Sequence, residues 1–328
     1  MSATDRPVVA VLKGGRSSEH EISLLSGRAV AAGLEDAGFQ VEEITVGRDG
    51  SWNGPEGEIS LLPGHGIAGV DVVFPALHGP FGEDGSVQGA LETVGVPYVG
   101  SDVLASATCM DKLTLKRLCR SQGIAQVDFV EAGPEGWLEK ALALEGPLWV
   151  KPSRLGSSVG ITRVEGGEDE LIAAAKAAAE HDPRVIVEAN SGGREIEVSV
   201  LGNRDPEVSV PGEILIDSDW YDFESKYSQG GMRLEAPADL PLEVVSRLGE
   251  VAVEVFVLAG CSGMARCDFF VEEDGRVLVN EINTIPGFTD MSVYARLWEA
   301  TGLSYGDLLE RLIDLAIERA AESGTHSF

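Results

Sequence analysis

The sequence predicts a mixed α/β and α+β architecture, a parallel-sheet unit followed by two further units. Three observations carry that expectation. Through the first hundred residues, strand-length apolar runs alternate with helix-length amphipathic segments, the alternation that builds a parallel sheet covered by helices. Near the C-terminus two apolar runs flank Asp274-Gly275, a strong short-range signal for an antiparallel hairpin. At 328 residues the chain exceeds one core, since domains run to roughly 100 to 200 residues.

Val8 to Leu12 reads as a buried strand, Gly14-Gly15 as its turn, and Ser17 to Leu34 as a helix whose Ser-Ser-Glu start supplies capping groups. Strands at Val41 to Val46 and Val70 to Pro75 and a helix at Ser86 to Val94 extend the unit, which Val99-Gly100-Ser101 closes. A helix from Asp111 to about Gly123 opens the second unit. It continues with a strand ending at Val150-Lys151, a Gly/Ser loop, a strand at Gly160 to Val164 and an alanine-rich helix, Glu170 to Glu180. The third unit begins with a strand at Val185 to Glu188, breaks at Ser191-Gly192-Gly193, and resumes with strands Glu195 to Leu201 and Glu207 to Val210. Pro211 to Pro237, rich in Asp, Ser, Gly and Pro, is too long for a routine connection and reads as a lid, a binding loop or a disordered segment. A helix from Leu242 to Ala259, the hairpin and a terminal helix from Tyr305 complete the order. The expected divisions are 1–102, 103–187 and 188–328, with the lid at 211–237.

Composition narrows the function. With 25 Lys+Arg against 54 Asp+Glu the net charge is -29, which opposes binding to DNA, RNA or an anionic membrane surface and favours solubility. Cys109, Cys119, Cys261 and Cys267 lack Cys-x-x-Cys spacing and nearby paired histidines, so a zinc site is not expected and reduced thiols are. Met1 to Pro7 is short and polar, and no apolar run approaches the ~18 residues of a membrane span. A cytoplasmic protein is expected.

The hairpin carries the sharpest geometric inference. Counting outward from a two-residue turn at Asp274-Gly275 pairs Glu273 with Arg276, Phe270 with Val279, Asp268 with Glu281, and Arg266 with Asn283. Arg266, Asp268, Glu281 and Asn283 then share one face with two carboxylates opposed. A hard cation held by oxygen ligands would relieve their repulsion; a solvated acidic face is the alternative. A bulge or longer loop would shift this register by one.

Other segments offer ligand chemistry. Lys151-Pro152-Ser153-Arg154-Leu155-Gly156-Ser157-Ser158-Val159-Gly160, between two strands, supplies backbone amides, small hydroxyls and a lysine for phosphate, though the same residues would serve an ordinary hairpin loop. It is not a Walker loop. Gly14-Gly15-Arg16-Ser17-Ser18-Glu19-His20-Glu21 sits at a strand-to-helix turn that could hold an anion and lacks the dinucleotide glycine spacing. There Glu19 reads either as a helix cap or as a partner for an ammonium group. His78-Gly79-Pro80-Phe81-Gly82-Glu83-Asp84-Gly85 follows a strand, and Lys112 and Lys226 are either solvated or ligand-directed.

Taken jointly and in order, these segments, with Met110-Asp111-Lys112, Gly193-Arg194-Glu195-Ile196-Glu197, Tyr221-Asp222-Phe223-Glu224-Ser225-Lys226-Tyr227 and Asn280-Glu281-Ile282-Asn283-Thr284-Ile285-Pro286-Gly287, resemble the D-alanine-D-alanine ligases of the ATP-grasp superfamily. The resemblance implies a Rossmann-like N-terminal parallel-sheet unit followed by a two-part ATP-grasp fold. It implies ATP as co-substrate and ligation of two D-alanines through a D-alanyl phosphate, for peptidoglycan precursors. By this likeness Lys112, Lys151, Gly156, Ser157, Ser158 and Lys226 lie near the phosphates and Glu188 and Glu195 near adenine and ribose. Asp268, Glu281 and Asn283 match the family's magnesium ligands, two ions being expected and manganese possible. Arg266 and the backbone of Gly287 match donors to the reaction's oxyanion. Glu19, Ser157 and Tyr227 match a trio joining lid, phosphate loop and N-terminal unit. Glu19 and His78 would meet the first D-alanine, and Ser292 the second one's carboxylate. Tyr227 points to an amine acceptor, and the likeness suggests a homodimer. Ala189-Asn190-Ser191 departs from the apolar or aromatic residues usual beside the adenine.

Overall fold

The structure, a computed structural model, describes residues 6–144, 146–157, 159–216, 232–289 and 292–324. Its first sheet begins where the first apolar run does. β1 (Val8–Gly14) pairs in parallel with β2 (Gln40–Val46) on one side and, once β3 (Trp52–Gly54) and β4 (Gly57–Glu58) have formed an antiparallel edge, with β5 (Val72–Pro75) on the other; the order is β4-β3-β2-β1-β5. Alternation along β1 sends Val9 and Val11 into one core cluster and Ala10 and Leu12 into another, so the strand is apolar throughout because both faces are covered. α1 (His20–Asp36) contributes Val30 and Leu34 to the first, and α2 (Ser86–Val94) contributes Val87 and Leu91 to the second.

The helix expected from Ser17 starts instead at His20, and Glu19 makes no side-chain capping bond. Ser17 Oγ donates to His78 O at 2.6 Å and accepts from the Glu19 amide, which ties this turn to the loop after β5 and leaves the Glu19 carboxylate free of capping duty.

Asp102 and Asp111 cap two consecutive helices, α3 (Val103–Met110) and α4 (Lys112–Ser121), by accepting from Ala105 N and Thr114 N. β6 (Phe129–Ala132), α5 (Trp137–Leu142), β7 (Leu148–Pro152), β8 (Thr162–Val164), α6 (Glu168–Ala179) and β9 (Val185–Ala189) follow, and their strands form an antiparallel sheet in the order β6-β9-β7-β8.

The third sheet contains β10 (Arg194–Gly202), β11 (Glu207–Val208), β12 (Gly212–Ile216), β13 (Met232–Glu235), β14 (Gly263–Val271) and β15 (Val277–Asn283), in the order β13-β12-β10-β14-β15 with β11 on β10. The segment expected as one long loop thus carries a strand at each end, β12 and β13, paired with each other; residues 217–231 lie outside the described residues. On α7 (Leu242–Leu258), Val244, Leu248, Val251, Val255 and Phe256 recur at helical spacing and are buried with Val198, Val200 and Phe269.

After α8 (Val293–Thr301), α9 (Tyr305–Ser323) returns to the first sheet, where Leu308, Leu309, Leu312 and Ile313 share a core with Val9, Val11 and Phe74. Gly33 permits this contact: a Cβ there would lie 2.5 Å from Tyr305 Cε1 and 2.6 Å from Leu309 Cδ1. No helix among the described residues is long and apolar enough to cross a membrane, and the four cysteines are free and buried.

Candidate active site

A cleft of about 950 Å³ opens where the three sheets meet, and every candidate drawn from the sequence that lies within the described residues lines it. Ser158, Lys226 and Tyr227 fall outside those residues.

One wall is the face of the third sheet. Arg266 pairs with Asn283 and Asp268 with Glu281, as counted from the sequence, but by a different route. The turn spans Glu273-Asp274-Gly275, so Glu272, not Glu273, bonds to Arg276, and Phe270 pairs with Leu278, not Val279. A bulge between Asp268 and Phe269, where Asn280 is the extra residue, restores the register before the acids are reached. Two one-residue departures cancel. Because Glu197 on β10 pairs with Asp268, three carboxylates, Glu197, Asp268 and Glu281, stand in one row across three strands.

Their repulsion is relieved by protein cations. Arg266 donates from Nε to Asp268 Oδ1 and from Nη2 to Asp268 Oδ2, both at 2.7 Å, and lies 2.9 Å from Glu197 Oε2. Burial opposes the guanidinium charge, but Asp268 and Glu197 outweigh it and push its pKa well above the ordinary value. Asn283 Nδ2 donates to Asp268 Oδ2 at 3.0 Å, and Lys112 Nζ lies 3.2 Å from Glu281 Oε2. Among the described residues no three His, Cys, Asp or Glu side chains converge on a point suited to a metal ion. Asp268 and Glu281 of the row, with the neighbouring Asn283 amide, offer hard oxygen ligands of the kind magnesium takes, with room for further oxygens from a ligand in the cleft.

The opposite wall carries cations. Lys112, first residue of α4, donates from Nζ to Leu155 O at 2.9 Å, which anchors the loop after β7. Ser153 reinforces that anchor: its Oγ donates to Asp111 Oδ1 at 2.8 Å and accepts from Leu113 N, and its carbonyl accepts from Lys112 N. Lys151 on β7 sits 2.7 Å from Glu188 Oε2 on β9. Burial alone would raise the Glu188 pKa, but Lys116 and Lys151 beside it draw it down to about 2. Both Gly156 and Ser157 line the cleft below them, Ser157 with φ +51, a left-handed conformation uncommon for a residue with a side chain.

At the inner end, Ser157 Oγ donates to the Glu19 carboxylate, joining the loop after β7 to the turn before α1. Gly79 allows that carboxylate its place, since a Cβ there would lie 2.4 Å from Glu19 Oε2. His78 is buried, its Nδ1 3.2 Å from Ile285 O and its Nε2 2.9 Å from Ser26 Oγ. Burial lowers its pKa, against the pull of Glu19 and of that carbonyl, so the neutral ring donates to Ile285 and accepts from Ser26. Glu83, on the same loop, accepts from Gly79 N at 2.6 Å. Burial first, then the negative charge of Glu19, raises its pKa to about 8. Gly287 and Ser292 face the cleft near the start of α8. The Ser292 Oγ accepts from Thr289 N at 2.8 Å, and a Cβ on Gly287 would approach it to 2.9 Å.

The outer end is apolar and aromatic. Trp149, Val127, Phe270 and Ile282 line it beside Ala189, Asn190, Ser191 and the exposed Glu195. Asn190 fits there because its Oδ1 accepts from Trp149 Nε1 at 2.9 Å, so the polar residue aligns an aromatic one. Trp149, Phe270, Glu83, Glu197 and Lys116 were not singled out from sequence. For Glu197 a signal existed, since it follows Glu195 by two and shares its strand face.

The chain was compared with known proteins. The family model described as "D-ala D-ala ligase C-terminus" matches residues 118–314, and that described as "D-ala D-ala ligase N-terminus" matches 8–65 and 58–101. A D-alanine-D-alanine ligase of Solibacter usitatus is 45% identical over 316 residues, 95% of each chain, and one of Deinococcus radiodurans is 43% identical, covering 94% of this chain and 98% of its own. Among solved structures, the D-alanine-D-alanine ligase of Coxiella burnetii superposes with a TM-score of 0.88 at 37% identity, covering 98% of this chain and 97% of its own. VanG D-Ala:D-Ser ligase of Enterococcus faecalis does so at 0.86 and 35%, covering 95% and 100%. With the ATP-grasp fold, the cleft and these likenesses together, the chain belongs to the D-alanine-D-alanine ligase family.

Proposed function

We propose that this chain is an ADP-forming ligase that joins two D-alanine molecules into D-alanyl-D-alanine, for peptidoglycan precursor synthesis. One observation carries the proposal: a single cleft sets lysines, an acid row and the Glu19 carboxylate around a common space. An amino acid brings both charges to such a site. Its ammonium suits Glu19, and its carboxylate needs cations to approach a triphosphate.

ATP would lie with its adenine against Trp149, Phe270 and Ile282, its ribose toward Glu195, and its phosphates against Lys112, Lys151 and the Gly156-Ser157 backbone, with Ser158 and Lys226 adding to them. Asp268, Glu281 and Asn283 are the residues that would hold magnesium, two ions in the family pattern. When bound, magnesium supplies charge neutralisation at the phosphates. The carboxylate oxygen of the first D-alanine attacks the terminal phosphorus, ADP leaves, and a D-alanyl phosphate forms. The amine of the second D-alanine then attacks the acyl carbon, and the oxyanion that develops is met by Arg266 and the Gly287 amide. Collapse releases inorganic phosphate, which carries away one oxygen of the original carboxylate. Arg266 is preset for this work by Asp268 and Glu197, so no reorganisation is needed as charge appears. The second D-alanine's carboxylate would be held by Ser292, and His78 lies beside the first. The stretch between β12 and β13, Tyr227 among its residues, would cover the site and exclude water from the acyl phosphate. Cytoplasmic location and a homodimer accompany the proposal as what the family suggests.

A phosphate-release assay with ATP, magnesium and D-alanine, each omitted in turn, tests it. Release that requires all three, with D-alanyl-D-alanine as product even when D-serine competes, supports the proposal. Release without D-alanine, or none with all three present, removes it.

A further inference from the structure

Lys116 takes no part in the chemistry above and does not line the cleft, yet its side chain is 2% exposed. Lysine is almost never so buried without a partner. Its partner is Glu188, itself 3% exposed, whose Oε1 lies 3.0 Å from Lys116 Nζ while Oε2 lies 2.7 Å from Lys151 Nζ. The ring of Phe129 lies 6.0 Å from the ammonium to its centroid. Three ionised groups thus run from behind the second sheet to the cleft wall, and only the last two reach the cleft.

Burying a third charge is costly, and a Lys151–Glu188 pair alone would already be neutral. Such a pair would present no net charge to the cleft and would hold Lys151 back on Glu188. With Lys116 added, the triad carries one net positive charge, and the Glu188 carboxylate divides its attraction between two cations. α4 sets this geometry: Lys112 and Lys116 stand four residues apart on one helical face, the first at the cleft and the second one turn deeper.

We propose that Lys116 is a positioning residue that offsets Glu188 from behind, so that Lys151 keeps its positive charge available to the phosphates of ATP. This inference rests on the nucleotide reading above, and its test separates the two. The test compares dissociation constants for magnesium ATP and for adenosine, by calorimetry at low and high salt, in the parent protein and in Lys116→Met, Lys116→Gln and Lys116→Arg, with circular dichroism to establish folding. Gln keeps a donor for Glu188 without the charge. Both neutral variants should bind ATP on the order of tenfold more weakly, most at low salt, and bind adenosine within about twofold of the parent; Arg should recover most of the ATP affinity. Unchanged ATP affinity in Lys116→Gln, or equal losses for ATP and adenosine, overturns the role of charge. A parent protein that fails to bind ATP overturns the nucleotide reading and this inference with it.

Discussion

Glu83 contributes a fall in the stability of the ligand-free protein as pH rises, and Glu83→Gln should remove that contribution. Its carboxyl is carried from an ordinary value near 4.5 to about 8, first by burial at the cleft wall and then by the charge of Glu19. Between those values the folded chain keeps a proton that the unfolded chain has lost. Stability therefore decreases as pH rises through the window, by at most about 1.4 kcal/mol per pH unit. Across the window the limit is about 5 kcal/mol, and water in the open cleft reduces it to about 2 or 3. Gln has the shape and charge of the protonated acid, so it keeps the bond from Gly79 N or loses little, and it cannot ionise. Urea unfolding followed by tryptophan fluorescence, without nucleotide or magnesium, would compare parent and variant from pH 5 to pH 8.5. The variant should gain about 2 or 3 kcal/mol relative to the parent between those limits. A constant difference between parent and variant at every pH refutes the argument.

Three further outcomes are expected. Glu281→Ala should abolish phosphoryl transfer while changing the melting temperature little, because the side chain is a candidate metal ligand and not packing; an active variant in the phosphate-release assay removes that assignment. Arg266→Leu leaves Glu197 and Asp268 facing each other without their shared guanidinium, so a folded-state loss of about 3 kcal/mol is expected in chemical denaturation, together with loss of ligation. Near-parent stability would contradict it. Gly33→Ala gains about 1 kcal/mol of helix propensity but forces a methyl into Tyr305 and Leu309, a cost of about 1 to 3 kcal/mol, so a net lowering of the melting temperature is expected and a rise would contradict the close packing of α1 on α9.

Local chemistry made much of the fold legible. The helix expected from Asp111 begins one residue later with Asp111 as its cap, and α2 runs from Ser86 to Val94 as expected. Less legible were the short pieces. The edge strands β3 and β4 hold three and two residues, too few for a period, and α3 has only eight residues, with Ser106 and Thr108 interrupting its apolar ones. The placement of α9 on the first sheet could not be read at all, because Leu309 meets Gly33 only through a contact some 270 residues distant in the chain. At the site, the acid pair of the hairpin was found by counting from a turn that is one residue longer than expected, and the bulge at Asn280 made the count good. Lys116 carried no signal: in sequence it is one of several lysines and arginines on a polar helix, and only burial against Glu188 distinguishes it.

The path of one oxygen atom tests the central claim most directly. With D-alanine labelled by ¹⁸O in its carboxylate, ATP and magnesium present, the released inorganic phosphate is examined by mass spectrometry. Activation of the carboxylate in this cleft predicts one ¹⁸O in the phosphate for each dipeptide formed. Phosphate that carries no label while dipeptide accumulates would contradict it.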